Sequence, residues 1–228
     1  MSQSLLPEFP QDETATGRPA AAVVADTLRV AILHGTVAGG ERLRQDAIAA
    51  RFGVSQMIAR EAFRQLVTEG FLRSEPRRGV SVAPLSADEA WETTQLRSLV
   101  EAQALEWAIP ALQAPDFAAA ERIVRELDRA RSTDRIIALN AAFHATLYAP
   151  SRRDRTLALV ATLRLGFERY LRYAWEETPH LIRSQSEHRE LLALCRARDI
   201  PGACGVLKQH IVATGSILVA RLRARHPA

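Results

Sequence analysis

Apolar positions recur at helical spacing along most of this chain, and only around residues 71–82 does the pattern break into short strand-like pieces. Val24, Leu28 and Ala31/Ile32 predict a first helix over Ala20–Leu33, ended by His34-Gly35. Val37-Ala-Gly39-Gly40 is a turn leading into Glu41-Arg-Leu43. A short helix over about 45–52 ends at Gly53, whose backbone freedom suits a tight turn. Ser55 is placed to cap a helix starting at Gln56, with Ala59, Phe63, Leu66 and Val67 as its inward stripe and Gly70 as its stop. Phe71-Leu72 and Val80-Ser81-Val82 are the expected strands of a hairpin closed by Pro76-Arg77-Arg78-Gly79. Helix, turn, helix and hairpin in that order make a winged helix-turn-helix, which places its second helix in the DNA major groove.

Pro84-Leu85 marks a boundary, and Ser86-Ala-Asp-Glu89 matches a capping box. Beyond it the pattern stays helical. Breaks fall at Pro110 to Pro115, Ser132-Thr133, Pro150-Ser151, Thr178-Pro179 and Asp199 to Gly202. About six helices with short connections pack as an antiparallel bundle. The expected fold is mainly α: a winged helix-turn-helix over 20–84, an all-helical bundle over 85–228, and a disordered polar tail over 1–19.

Charge adds one point. Residues 1–85 hold 10 Arg and 9 acids, yet 42–78 alone hold 8 Arg and 4 acids, so the positive charge of this half sits on the helix-turn-helix. No apolar run approaches the roughly 20 residues needed to span a bilayer, and no export signal is visible, so the expected location is the cytoplasm. Cys195 and Cys204 have neither zinc nor redox spacing and read as buried thiols.

In a helix-turn-helix the first residues of the second helix meet base edges. Here those are Gln56, Met57 and Arg60, with Arg64 one turn further and Ser55 at the cap. Arg60 suits guanine and Gln56 suits adenine. Arg44 and Arg51 precede the turn and suit phosphate, while Arg77, Arg78 and Gly79 form the wing tip.

Helical periodicity also turns three histidines inward. His144 lies with Phe143 and Leu147, His188 with Leu191, Leu192 and Cys195, and His210 with Leu207, Ile211, Thr214 and Leu218. One such histidine is usually a hydrogen-bonded core residue. Three that converge are most economically satisfied by a shared metal ion, and Asn140, one turn before His144, can face the same point. Zinc is the first expectation, with nickel or manganese as alternatives.

Two resemblances follow from these residues. Residues 20–83 resemble the winged helix of the GntR family of bacterial transcription factors. The carrying features are Gly39-Gly40-Glu-Arg-Leu43, Ala47-Ile-Ala-Ala-Arg-Phe-Gly-Val-Ser55, Arg60-Glu-Ala-Phe63, Glu69-Gly70-Phe71 and Arg78-Gly79-Val80. The family's usual Arg-Thr-Pro after Gly-Val-Ser is here Gln56-Met57-Ile58. Residues 86–222 resemble the helical ligand-binding domain, FCD, of FadR-type members, through Arg97-Ser-Leu-Val-Glu101, Asn140-Ala-Ala-Phe143-His144, Glu187-His188-Arg189 and His210. The resemblance implies a homodimer on double-stranded operator DNA, and a divalent ion held by Asn140, His144, His188 and His210 beneath the effector pocket. Asn140 stands where Asp is commoner.

An arginine beside such an ion suits a small organic acid. Arg97 is the candidate, although an ion pair with Glu101 at i+4 is equally open to it. Arg164, Arg169 and Arg172 read as surface or ion-paired residues. Two other functions compete with a ligand-responsive regulator. One is a constitutive DNA binder with a structural metal or His cluster. The other is a metalloenzyme, against which stand the missing HExxH pattern and the unexplained helix-turn-helix.

Overall fold

The computed structural model describes residues 17–75, 79–175 and 180–225, with side chains at all of these except 173–175, 180–183 and 225. The tail up to residue 16, Pro76-Arg77-Arg78, Thr178-Pro179, the His180 side chain and His226 lie outside the described residues. The chain divides into two compact units, Met1–Leu85 and Ser86–Ala228.

In the first unit α1 (Ala20–Leu33) packs on α3 (Gln56–Thr68), with α2 (Gln45–Phe52) beside it. Gly53 ends α2 at φ 63°, a left-handed conformation that glycine adopts without strain. The Ser55 hydroxyl accepts from the Ile58 amide at 3.3 Å, capping α3. Ala59, Ala62, Phe63 and Leu66 fill the inward face of α3, while Val67 stays 36% exposed at the edge of the stripe. Arg29 of α1 grips Glu69 with two hydrogen bonds, of 2.8 and 2.9 Å, tying the ends of the two helices together.

The wing strands are β2 (Leu72–Glu75) and β3 (Gly79–Val82), with Leu72 opposite Val82. A third strand, β1 (Arg42–Leu43), pairs with β3 and makes the sheet order β1-β3-β2. The sequence shows only a turn there. Two residues cannot display an alternating pattern, so this strand is defined by its pairing alone.

The second unit contains α4 (Ala87–Ala108), α5 (Ala114–Arg129), α6 (Thr133–Tyr148), α7 (Asp154–Trp175), α8 (His180–Arg196) and α9 (Ile200–Arg225). Short 3₁₀ turns at Ile109–Ala111 and Ala149–Ser151 occupy the breaks expected at the prolines. Ser86 and Ser132 cap α4 and α6 by accepting from Glu89 and Arg135 amides, each at 3.3 Å. Helix α4 runs through the middle, packed on α6, α7 and α9. Leu105, Ile109, Phe143, Leu147, Leu191, Leu207 and Ile211 form the core. Cys195 lies in it, and burial pushes its thiol up to about 12.

By length and composition α9 contains a stretch, Ile200–Ala224, apolar enough to cross a membrane, contrary to the expectation from sequence. Its apolar residues have another use. Ala203, Leu207, Ile211, Leu218, Val219 and Leu222 are buried within the helical unit.

The approach of α9 to α4 depends on Gly215. A Cβ there would lie 2.3 Å from the Thr94 γ atoms and 2.8 Å from its Cβ. Thr94 cannot turn away cheaply, since it is fully buried and its hydroxyl donates to the Ala90 carbonyl at 2.7 Å. Alanine gains about 1 kcal/mol of helix propensity over glycine, whereas overpacking costs about 1–3 kcal/mol. Gly215→Ala therefore destabilises the unit by up to about 2 kcal/mol. Urea unfolding measures this, and a Thr94→Ala/Gly215→Ala double variant, free of the two 2.3 Å contacts but not of the 2.8 Å one, recovers part of the loss.

Candidate functional site

Helix α3 presents Gln56, Met57, Arg60 and Arg64 on its exposed face. Met57 is 80% exposed, the most exposed large apolar side chain among the described residues. Ser55 is exposed as well, with its hydroxyl committed to the cap. Arg51, on the last turn of α2, and Gly79, at the start of β3, are also exposed. Arg44 pairs with Asp46 at 2.6 Å, and Arg64 with Glu61 at 3.2 Å. All four side chains are largely in water, where such pairs are weak, so either arginine can exchange its carboxylate for a phosphate. Arg73, on the exposed side of β2, adds a wing cation that the sequence reading counted as charge but did not single out. Arg77 and Arg78 lie outside the described residues.

The helical unit brings together three elements that sequence periodicity could orient only one by one. His144 of α6, His188 of α8 and His210 of α9 are buried, with one ligand atom from each within 4.8 Å of the others. Their ring centroids lie 4.9–5.4 Å apart. Burial above all, and then the neighbouring arginines and imidazoles, hold His144 and His188 well below the usual histidine range. Both rings are therefore neutral near pH 7 and keep a lone pair. His210 Nδ1 meets Glu187 Oε2 at 2.8 Å, and His144 Nδ1 meets the Tyr148 hydroxyl at 3.2 Å. Both ring nitrogens of His188 are buried with no hydrogen-bond partner among the described residues. Buried polar atoms are seldom left so. The donor set fits a divalent metal ion: three buried imidazoles, two of them held neutral and one orphaned, with a ligand atom from each within 4.8 Å of the others.

Beside the cluster lies a carboxylate whose only expected partner was Arg97. Glu101 of α4 is fully buried and binds three groups. Arg97 Nε donates to Oε1 at 2.8 Å, while Arg164 donates to Oε2 at 2.7 Å and the Tyr148 hydroxyl to Oε2 at 2.9 Å. Burial alone would raise the Glu101 carboxyl, but Arg97 and Arg164 outweigh it and hold the group below the usual carboxylate range. Burial pushes Tyr148 well above its ordinary value, so its proton stays on. For Arg97 the ion pair is the option observed. It pairs with Glu101 at i+4, and it lines a cavity of about 420 Å³.

Arg164 lines the same cavity and is ion-paired rather than solvated, the second of the two readings given for it. Its partner Glu101 is 63 positions away, a link no local pattern reveals. Arg169 is buried too, within electrostatic reach of Glu89, and is not a surface residue either. Arg172 does pair as expected, with Glu168 at 2.9 Å and with Asp134. Asn140 lines both the large cavity and a small one of about 20 Å³ that touches His210, which places it between the arginines and the cluster.

A winged helix with an exposed cationic second helix, and a separate helical unit with a mainly apolar cavity that two arginines help to line, define the class of DNA-binding transcriptional regulators. The profile of the bacterial regulatory proteins, gntR family, matches residues 20–82, and that of the FCD domain matches residues 92–213. The chain belongs to the GntR family of bacterial transcriptional regulators and carries the FCD domain of its FadR-type members. An uncharacterised HTH-type transcriptional regulator of Bacillus subtilis (strain 168), YdhC, is 29% identical over 192 residues, 82% of this chain and 83% of that protein. The crystal structure of a GntR family regulator from Pseudomonas syringae pv. tomato is 32% identical, with a TM-score of 0.57 over 97% of this chain and 92% of that one. McbR/YncC of E. coli has the same fold at 22% identity, with a TM-score of 0.73 over 89% of this chain and 98% of that one. The relatives are regulators, not enzymes.

Proposed function

We propose that the chain is a ligand-responsive regulator whose helical region, residues 85–228, senses a small organic acid at a metal-containing pocket. Its winged helix, residues 20–84, then holds double-stranded operator DNA through α3, the turn and the wing, as a cytoplasmic homodimer. The divalent ion is held by Asn140, His144, His188 and His210, with zinc first and nickel or manganese as alternatives. When bound, it supplies a fixed positive charge and an open coordination position for a carboxylate oxygen.

The observation that carries this reading is the orphaned His188 ring, buried beside two other imidazoles and near a cavity that Arg97 and Arg164 help to line. The charges agree. Two guanidiniums that line the cavity share one carboxylate, leaving a surplus positive charge that an anionic ligand neutralises. Arg97 is the effector contact, joined by Arg164. A cavity of this size beside the cluster has no purpose in a purely structural metal site.

A thermal-shift screen of small mono- and dicarboxylates, with and without added zinc, nickel or manganese, tests the proposal. The expected result is an acid that raises the melting temperature only when metal is present, by mass action. An acid of equal effect in chelator, or metal binding that no acid modifies, overturns it.

A further inference from the structure

The hydrogen-bond directions between Glu101 and His144 are fixed by the chemistry of the three groups involved. An ionised carboxylate only accepts, so the Tyr148 proton points at Glu101 Oε2, 2.9 Å away. A phenol has one proton. Its oxygen can therefore take part in the 3.2 Å contact with His144 Nδ1 only by accepting from an Nδ1–H. A neutral imidazole carries one proton, so Nε2 of His144 is left as the lone-pair nitrogen. Asn140, His144 and Tyr148 lie four residues apart on α6, so the three side chains share one face of that helix.

We propose that Tyr148 is a positioning residue: held by Glu101, it locks His144 in the Nδ1–H tautomer and so presents Nε2 to the histidine cluster. The inference rests on the metal-site reading above and adds a second layer to it. His210 has a parallel arrangement, with Glu187 on its Nδ1. His188 has none among the described residues. Two of the three rings are thus oriented from outside by acidic residues, one directly and one through a phenol. The carboxylate that orients His144 is the one that Arg97 and Arg164 share, so the cavity and the cluster have one group in common. Outer partners of this kind fix the tautomer and raise the basicity of a metal-binding imidazole, and their loss weakens metal binding by about 10–100-fold.

Two measurements test this. Long-range ¹⁵N–¹H correlation spectra of the metal-free, full-length protein report which nitrogen of His144 is protonated. The wild type is expected to show Nδ1–H alone. Tyr148→Phe, which keeps the ring and removes the acceptor, is expected to show a mixture of tautomers. In competition with a chromophoric chelator, Tyr148→Phe is expected to bind zinc about 10–100-fold more weakly than the wild type. A wild-type His144 protonated on Nε2 overturns the proposal, and needs no variant to fold. An unchanged zinc affinity in a folded Tyr148→Phe protein overturns it as well. A wild type that binds no metal while showing Nδ1–H alone sinks the metal-site reading and leaves the tautomer lock standing.

Discussion

Replacing Glu101 by glutamine lowers the unfolding free energy of the helical unit by about 3–5 kcal/mol at pH 7. The size follows from burial. Glu101 is fully buried, and the side chains of Arg97 and Arg164 are 7% and 14% exposed. An exposed pair would be worth about 0–1 kcal/mol. Glutamine preserves the shape and one acceptor oxygen, but strands two guanidiniums with no opposing charge in the core. The pH dependence has a definite sign. Because Arg97 and Arg164 hold the folded-state Glu101 carboxyl below its unfolded value, its contribution is fully present above the unfolded carboxylate pKa of about 4.3 and is lost as pH falls through the lower folded value. The wild type therefore loses this stability in acid, below about pH 4, and Glu101→Gln lacks that part of the acid limb. Tryptophan fluorescence in a urea titration reads the helical unit alone, because Trp91, Trp107 and Trp175 all belong to it. A loss below about 1 kcal/mol at pH 7 would show that water or another acid takes over the two arginines.

The helices of this chain were legible where local chemistry decides them. Ala20–Leu33 has the expected bounds, and Ser55, Ser86 and Ser132 cap as their positions suggest, because caps and periodicity are short-range effects. The strand Arg42–Leu43 was not legible, since a two-residue strand carries no period of its own. The site divides along the same line. Each of His144, His188 and His210 could be turned inward by its spacing to neighbouring leucines, but their meeting is a property of how α6, α8 and α9 pack. Glu101 and Arg164 were missed as a pair because charged residues in a helical pattern are ordinarily solvated, and only the packing of α4 against α7 buries them together. The orphaned state of His188 is invisible in any sequence, since it consists of what the folded chain fails to bring near that ring.

That orphaned ring gives a second large expected effect, of opposite sign to the first. In excess chelator, His188→Leu is expected to be more stable than the wild type by about 1–3 kcal/mol, the cost of keeping a polar group buried without a partner. Leucine is of similar volume and suits neighbours such as Leu191, Leu192 and the Phe143 ring, whose centroid lies 4.6 Å from that of His188. With zinc at about 1,000 times its dissociation constant the wild type gains about 4 kcal/mol by mass action, and the variant, short of one ligand, gains little. The order of stabilities therefore reverses on adding metal. The same substitution at His144 shows no such reversal from a stabilised baseline, because leucine there removes the donor to the Tyr148 oxygen. Urea titrations of the three proteins in chelator and in zinc decide the matter. If His188→Leu is the less stable protein in both conditions, the ring has a partner in the folded chain and the reason for placing a metal beside it disappears.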